Sequence, residues 1–180
     1  GIYYALSNEE RTKVTNAKTL LDAVELIEEK HVSIETVTTY KDLNKYTAKT
    51  QLAIKTLINQ TKSLIDDQPT IAELNKVVEE FKNKADEFKE LQEELKDPIA
   101  KATEELSKHY NSFDKDFYES QEQLDLKEIL DKAIESINVA KSEEDITSIV
   151  NSATQAMNQV PNFKAEYEEI IKGISDELDE

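Results

Sequence analysis

One Glu-x-x-His segment is the pattern in this sequence closest to a metal-binding motif. It reads Glu28-Glu29-Lys30-His31. A di-iron carboxylate site in a helical bundle needs two such segments and two further carboxylates. The only other histidine, His109, has Leu106 at the position where the motif needs Glu. The ligand set is incomplete, so His31 is best interpreted as a residue of a solvated helix end.

The acidic stretch from Asp114 to Asp125 matches a calcium-binding loop only in part. Asp114 and Asp116 stand where the first two carboxylate ligands belong. Tyr118 occupies a further ligand position, and Glu119 replaces the glycine that such a loop needs for its sharp turn. The stretch therefore predicts an acidic helix or helix end and no calcium site.

Ser112-Phe113-Asp114-Lys115 matches the Ser-x-x-Lys pattern of one class of serine enzymes. That chemistry also requires a Lys-Thr-Gly segment, which this chain lacks. The many carboxylates give no sign of a pair whose pKa values are driven apart, as acid-base catalysis would need. The sequence thus predicts no enzyme and assigns no catalytic, cofactor-binding or metal-ligating residue.

The composition narrows the partners and the fold class. The 180 residues include 22 Lys and Arg against 39 Asp and Glu, for a net charge of −17, with two Gly, three Pro and no Cys. This charge repels phosphate backbones, so nucleic acid is not an expected partner. The absence of Cys excludes disulfides, and no apolar run reaches the 18 residues that would predict membrane insertion. Two glycines leave little material for phosphate-binding loops or tight hairpins.

Helix caps can be recognised directly in the sequence. Ser7 with Glu10 and Thr70 with Glu73 form capping boxes, in which two side chains satisfy free backbone N–H groups at a helix start. Ser142 predicts a further helix start. Between such caps, apolar residues recur at spacings of three and four.

This pattern predicts an all-α fold, an elongated and largely antiparallel bundle of about six to eight helices. We expect a single helical domain over residues 1–180, with possible sub-bundles 1–68 and 69–180.

Several helix boundaries are also predicted. A short helix after Ser7 is followed by a second helix from about Asn16 to His31, and the β-branched residues 32–40 predict a connection or a frayed turn. The apolar stripe after Thr70 continues as far as Leu95. Asp97-Pro98 then predicts either a kinked long helix or two helices with a sharp turn.

Residues 146–163 form a run of 18 uncharged residues in a chain that is 34% charged. One interpretation is a central helix whose polar residues, Ser148, Asn151, Ser152, Thr154 and Gln155, pack closely against neighbours. The alternative is a partner-facing helix. For that alternative the candidate binding residues are Ile149, Asn151, Ser152, Gln155 and Met157.

The segment over residues 4–27 contains a set of spaced residues: Tyr4-Ala5-Leu6-Ser7-Asn8-Glu9, Val14-Thr15-Asn16, and Leu20, Ala23 and Ile27. In this spacing the segment resembles a helical repeat of large Gram-positive surface and secreted proteins, including extracellular glycosidases and wall-associated proteins. The resemblance implies an extracellular location, at the cell surface or in the cell wall. The repeat's preceding helix is missing here, which implies a domain start upstream of Gly1.

A second likeness concerns a junction between helices. Residues 137–146 resemble the Ala-Lys-Thr-x-Glu-Glu-Val junction of cell-wall helical modules, among them albumin-binding three-helix modules, and residues 69–74 resemble a degenerate second copy. Albumin binding itself does not carry over, because the residues of the binding face do not align.

Two functions remain open at this point. The first is a non-catalytic helical spacer or interaction module of an exported Gram-positive surface protein. The alternative is an adhesin-like module that binds a host protein or a wall polymer through the uncharged helix near 146–160. A metal-binding bundle ranks below both, and the oligomeric state is left open.

Adding or removing metal ions tests the hypothesis of a metal-binding bundle. A metal ion that binds only the folded chain must raise the thermal melting midpoint. Because we expect no metal site, calcium, iron or EDTA should leave the midpoint unchanged. A midpoint that rises with either metal and falls with EDTA would contradict the expectation.

Overall fold

The computed structural model describes residues 5–179, and within them every regular element is helical. This confirms the predicted all-α fold and the predicted number of helices. Short 3₁₀ turns lie at Leu43–Lys45 and Lys115–Phe117. The α-helices are α1 Asn8–Thr39, α2 Ala48–Asp67, α3 Ile71–Asp86, α4 Leu91–Glu94, α5 Lys96–Ser112, α6 Ser120–Asn138, α7 Glu143–Asn158 and α8 Lys164–Leu178.

The chain divides into two compact units between Glu90 and Leu91. The expected sub-bundles 1–68 and 69–180 therefore place the division too early. Helix α3 lies beyond residue 68, yet it packs against both α1 and α2 and completes the first unit. Gly1 and Tyr4, which are named above, lie outside the described residues.

Unit 1 buries its core among α1, α2 and α3. Helices α2 and α3 each contribute a stripe with the spacing 4-3-4, which keeps the buried side chains on one helix face. Short connections between these helices make consecutive ones antiparallel. The buried apolar residues are Val37, Tyr46, Ile54, Ile58, Ile65, Leu74, Val78, Phe81 and Ala85.

Unit 2 has its own core among α5, α6 and α7, with the same 4-3-4 spacing in α6 and α7. Its helices contact one another in all three pairings. Leu95, between α4 and α5, also belongs to this core. The remaining buried residues are Ala102, Leu106, Tyr118, Leu126, Leu130, Ala133, Ile137, Ala140, Ile146, Val150, Ala153, Met157 and Val160.

The two units are copies of one three-helix layout, offset by 72 residues from Asp42 to Asp114. Every buried position of α2 and α3 has a buried counterpart in α6 and α7 at this offset. The pairs are 54/126, 58/130, 61/133, 65/137, 74/146, 78/150, 81/153 and 85/157. Thr70 and Ser142, from the two similar junctions, cap α3 and α7 at equivalent positions.

The corner between the first and second helix is also the same in both units. In unit 1 the Asp42 carboxylate accepts the Asn44 N–H at 3.1 Å, and Gln51 Nε2 donates to the Tyr46 carbonyl at 3.0 Å. Tyr46 is buried there.

In unit 2 the Asp114 carboxylate accepts the Asp116 N–H at 3.1 Å, and Gln123 Nε2 donates to the carbonyl of the buried Tyr118 at 3.0 Å. The Asp residues start the 3₁₀ turns, and the Gln residues tie the second helix to the same corner.

Helix α1 differs from the sequence prediction. The capping box of Ser7 and Glu10 is present and starts the helix, but α1 then continues without interruption to Thr39. Residues 32–40 do not form a connection, because Ser33 and Val37 are buried in the unit 1 core on a helical spacing. The apolar residues expected on the earlier face lie largely in solvent, with Leu20, Leu21 and Ile27 about two-thirds exposed.

The helical stripe is interrupted twice: α3 ends at Asp86, and a second interruption at Leu95 separates α4 from α5. The second one lies directly before Asp97-Pro98, where the sequence predicts a kink or a turn. Pro98 lies in the first turn of α5, where a missing N–H costs nothing because that turn has no intrahelical partner for it. Leu95 therefore does not extend the α3 stripe and joins the unit 2 core instead.

A polar cluster joins the end of α1 to the end of α3. Tyr40 Oη and Lys41 Nζ both donate to the Asp86 carboxylate, at 3.0 and 2.5 Å. These two hydrogen bonds, that of Lys41 first, lower the pKa of Asp86 below its ordinary value. The same contact raises the pKa of Lys41. The Tyr40 ring packs edge-on against Phe81 at 5.8 Å.

The stabilisation that the Asp86 cluster contributes to the folded chain is expected to be lost in acid. Asp86→Asn should lower the melting midpoint at neutral pH, because the neutral amide loses the charge-assisted bonds. A lowered folded-state pKa means the stabilisation is present above the ordinary carboxyl pKa and is lost as the pH falls through the folded value. The difference between the two proteins should therefore vanish well below pH 3.8, the unperturbed value.

Melting curves between neutral pH and about pH 2 measure this. Glu80→Gln, on the exposed side of the same helix, is the control and should differ little from the parent at any pH. A constant difference between parent and Asp86→Asn across the range would contradict the assignment.

Core packing gives a second prediction. Phe81 and Ala85 in α3 correspond to Ala153 and Met157 in α7, so the large residue sits one turn later in unit 2. Met157 is fully buried. Met157→Ala should lower the opening free energy of unit 2 by about 2–5 kcal/mol, because it removes apolar contact and leaves a cavity.

Native-state hydrogen exchange of the α6 and α7 amides measures the opening free energy of unit 2. Leu124→Ala, at a position that is 63% exposed, should change it by less than about 0.5 kcal/mol. Equal losses in the two variants would contradict the core assignment.

Candidate functional site

Helix α7 presents the candidate surface and is positioned by its cap and its apolar stripe. The Ser142 hydroxyl accepts the Asp145 N–H at 3.0 Å and starts the helix. Acidic residues fill the first turn, where they interact favourably with the helix dipole. The stripe formed by Ile146, Val150, Ala153 and Met157 then packs α7 against α5 and α6. The opposite face is turned to solvent.

The structure separates the five candidate residues into two groups. Asn151, Ser152 and Gln155 lie together on the exposed face of α7. Ile149 is half-buried against the unit 2 core, and Met157 is fully buried in it. The first three are therefore fully accessible to a partner in this structure, Ile149 is accessible in part, and Met157 is out of reach.

The interpretation of α7 as a helix with packed polar residues is wrong for most of them. Ser148, Asn151, Ser152 and Gln155 are exposed, and only Thr154 is half-buried. Contact with α5 and α6 needs just the apolar stripe, so the uncharged polar residues are not required for packing. Their lack of charge needs another explanation.

Comparison of α7 with its counterpart α3 makes this contrast specific. At the 72-residue offset, Ser148, Asn151 and Ser152 correspond to Lys76, Glu79 and Glu80. These α3 residues are exposed as well. At these three positions the same scaffold thus carries charge in unit 1 and none in unit 2, whereas the neighbouring exposed Gln155 corresponds to Asn83, which is also uncharged. We name the unit 2 surface, Ser148, Asn151, Ser152 and Gln155, the uncharged α7 face.

Shallow depressions adjoin the uncharged α7 face within unit 2. One, of about 400 Å³, lies between α6 and α7 and is lined in part by Ile129, Ser148, Ile149 and Ser152. Another, of about 550 Å³, lies between α5 and α7 and includes Asn151. A partner seated on the face could therefore contact apolar side chains at its edges.

The two histidines that the sequence suggested as metal ligands lie apart from any cluster of further ligands in the described residues. His31 is exposed on α1. His109 Nε2 lies 2.9 Å from the Asn158 side-chain oxygen, and its ring packs edge-on against Phe113 at 5.1 Å. Within residues 5–179 no cluster of three metal-ligating side chains occurs.

The Ser-x-x-Lys residues have separate roles. Ser112 Oγ donates to the His109 carbonyl at 2.6 Å. Lys115 Nζ donates to the Tyr110 and Phe113 carbonyls at 2.5 and 2.9 Å, and lies over the Tyr110 ring at 4.1 Å. Burial lowers the pKa of Lys115, and its position at the end of α5 satisfies carbonyls that the helix leaves free.

Sequence reasoning missed the contrast between α3 and α7 because it did not align the two halves of the chain. The signal was present: Asp42, Tyr46 and Gln51 recur as Asp114, Tyr118 and Gln123 at a constant offset.

Comparisons with known proteins give no relative. No family model matches the chain, and no curated protein or solved structure matches it either. Among the described helices, none combines the length and the apolar character that crossing a bilayer requires.

Proposed function

We propose that this chain is a non-catalytic helical spacer or interaction module of an exported Gram-positive surface protein. The observation that supports the proposal is the repetition of one three-helix layout, with its corner and its eight buried positions, in both units. Repetition of a self-contained scaffold is typical of proteins that extend a chain or multiply a binding surface. The resemblance of residues 4–27 to surface-protein repeats supports the extracellular location.

The scaffold suits a spacer for a physical reason. Each unit is held by its own apolar core, so one copy does not need a ligand to order it. The connection inside each unit is fixed by an Asp-capped turn and a buried Tyr. A module that is already ordered loses little conformational entropy when it binds a partner or holds neighbouring domains apart.

A specific observation favours the second candidate, an adhesin-like module. The uncharged α7 face is exposed, while three of the four equivalent α3 residues, Lys76, Glu79 and Glu80, carry charge. Burying Asn, Ser or Gln against a partner costs less than burying Glu or Lys, because charged groups lose more hydration. Under this candidate the partner is a host protein or a cell-wall polymer.

Binding assays on the full chain separate the two candidates. The spacer function predicts no saturable binding to purified serum proteins or to wall polymers. The adhesin function predicts saturable binding that is lost in the double variant Asn151→Glu with Ser152→Glu. That variant gives α7 the residues that α3 carries at the same positions, so its melting midpoint should stay within a few degrees of the parent.

A matched control adds the same charge elsewhere. Asn59→Glu with Gln60→Glu places two carboxylates on the exposed side of α2 and should leave any binding intact. Binding lost equally in both double variants would indicate general repulsion and contradict a site on α7. Binding that neither variant changes would place the adhesive surface elsewhere.

A further inference from the structure

Helix α8 leaves most of an apolar face exposed, although the rings of Phe163 and Tyr167 contact the Phe117 ring at 6.1 and 5.4 Å. Five apolar side chains, including that of the preceding Phe163, recur at spacings of four, four, three and four, which places them on one side of the helix together with Ile170, which is 63% exposed. A helix of 15 residues gains little stability without packing. The residues and their exposed fractions are Phe163 37%, Tyr167 49%, Ile171 47%, Ile174 50% and Leu178 81%.

These positions coincide with the packed face of the first helix of unit 2. At the same 72-residue offset that relates α3 to α7, the five residues correspond to apolar residues of α4 and α5. Those counterparts are buried in the unit 2 core or packed against it. They are Leu91, Leu95, Ile99, Ala102 and Leu106.

The chain also enters α8 at the same point of the layout. In unit 1 the segment after α3 returns to the first 3₁₀ turn, where Lys45 Nζ lies 3.6 Å from a Glu90 carboxylate oxygen. In unit 2 the segment after α7 returns to the equivalent turn, where the Phe163 N–H donates to the Phe117 carbonyl at 3.0 Å. Glu90 directly precedes α4 and Phe163 directly precedes α8, so the two helix starts agree to within one residue of the 72-residue offset.

We propose that α8 is the first helix of a further copy of the three-helix unit, and that its apolar face is the docking surface for the second and third helices of that copy. The occupant is the chain segment that follows Glu180. In both described units the helices that cover the first helix come from the chain directly after it, and the register of α8 continues this order. The inference does not depend on where the protein is located or on whether it binds a ligand.

A fusion protein tests the docking surface. A copy of residues 109–162 is joined directly after Glu180, which corresponds to Lys108 in register, and the full 180-residue chain is kept. The appended segment supplies a 3₁₀ turn and copies of α6 and α7. The α8 amides should then exchange at least about 100-fold more slowly than in the parent chain, because they become part of a packed unit.

A register control uses the same fusion with two alanines inserted after Glu180. At 3.6 residues per turn, the insertion rotates the α8 face by about 200° relative to the appended helices. This control should not protect α8. In the correct fusion Ile174→Asp should abolish the protection, whereas in the parent chain it should leave the melting midpoint unchanged.

Ile174 is larger than its counterpart Ala102, so a fusion with Ile174→Ala is prepared as well. Protection of α8 in either correct-register fusion, and not in the shifted one, supports the inference. Unprotected α8 in both correct fusions, with units 1 and 2 still protected, overturns it. Equal protection in the shifted register also overturns it. So does a parent chain that dimerises in sedimentation and becomes monomeric with Ile174→Asp, because a second copy would then cover the face.

Discussion

The hydrogen bond from a glutamine side chain to the carbonyl of a buried tyrosine fixes the corner on which each unit depends. Gln51 and Tyr46 make it in unit 1, and Gln123 and Tyr118 make it in unit 2, at the same distance. One such bond contributes only about 1 kcal/mol. Its importance is geometric: it ties the start of the second helix to the turn before it. The 4-3-4 stripes of the second and third helices can then face the first helix in one register.

Once this register is set, the core can vary while the layout stays constant. The exchange of Phe81 and Ala85 for Ala153 and Met157 moves the large side chain by one turn without changing which positions are buried. Cores tolerate such changes when total volume and pattern are kept. The polar support also varies: the Asp86 cluster stabilises the end of α1 in unit 1, whereas Lys115 supplies hydrogen bonds at the end of α5 in unit 2.

Local sequence chemistry predicted the fold class and the helix starts at Ser7, Thr70 and Ser142, because capping depends on residues within one turn of each other. It failed where tertiary packing outweighed propensity. The β-branched stretch 32–40 is a poor helix by itself, but burial of Ser33 and Val37 keeps it helical through Thr39. Pro98 accounts only for the short interruption at Leu95, whereas the longer break between α3 and α4 falls at residues 87–90, which contain no proline. The α7 residues were found by their lack of charge, but which of them reach solvent depends on two neighbouring helices.

Because the two units share one scaffold, the difference in charge between the exposed faces of α3 and α7 cannot be attributed to packing. Lys76, Glu79 and Glu80 show that this position in the layout accepts charge, so nothing in the packing of the unit requires Ser148, Asn151 and Ser152 to be neutral. In a chain with a net charge of −17, removing charge from one exposed face also removes local repulsion toward other anionic surfaces. Charged residues are depleted at the centres of protein interfaces for the related reason that their desolvation is costly. Under the adhesin-like candidate, this difference gives the uncharged α7 face a lower cost of desolvation on contact than the equivalent α3 face.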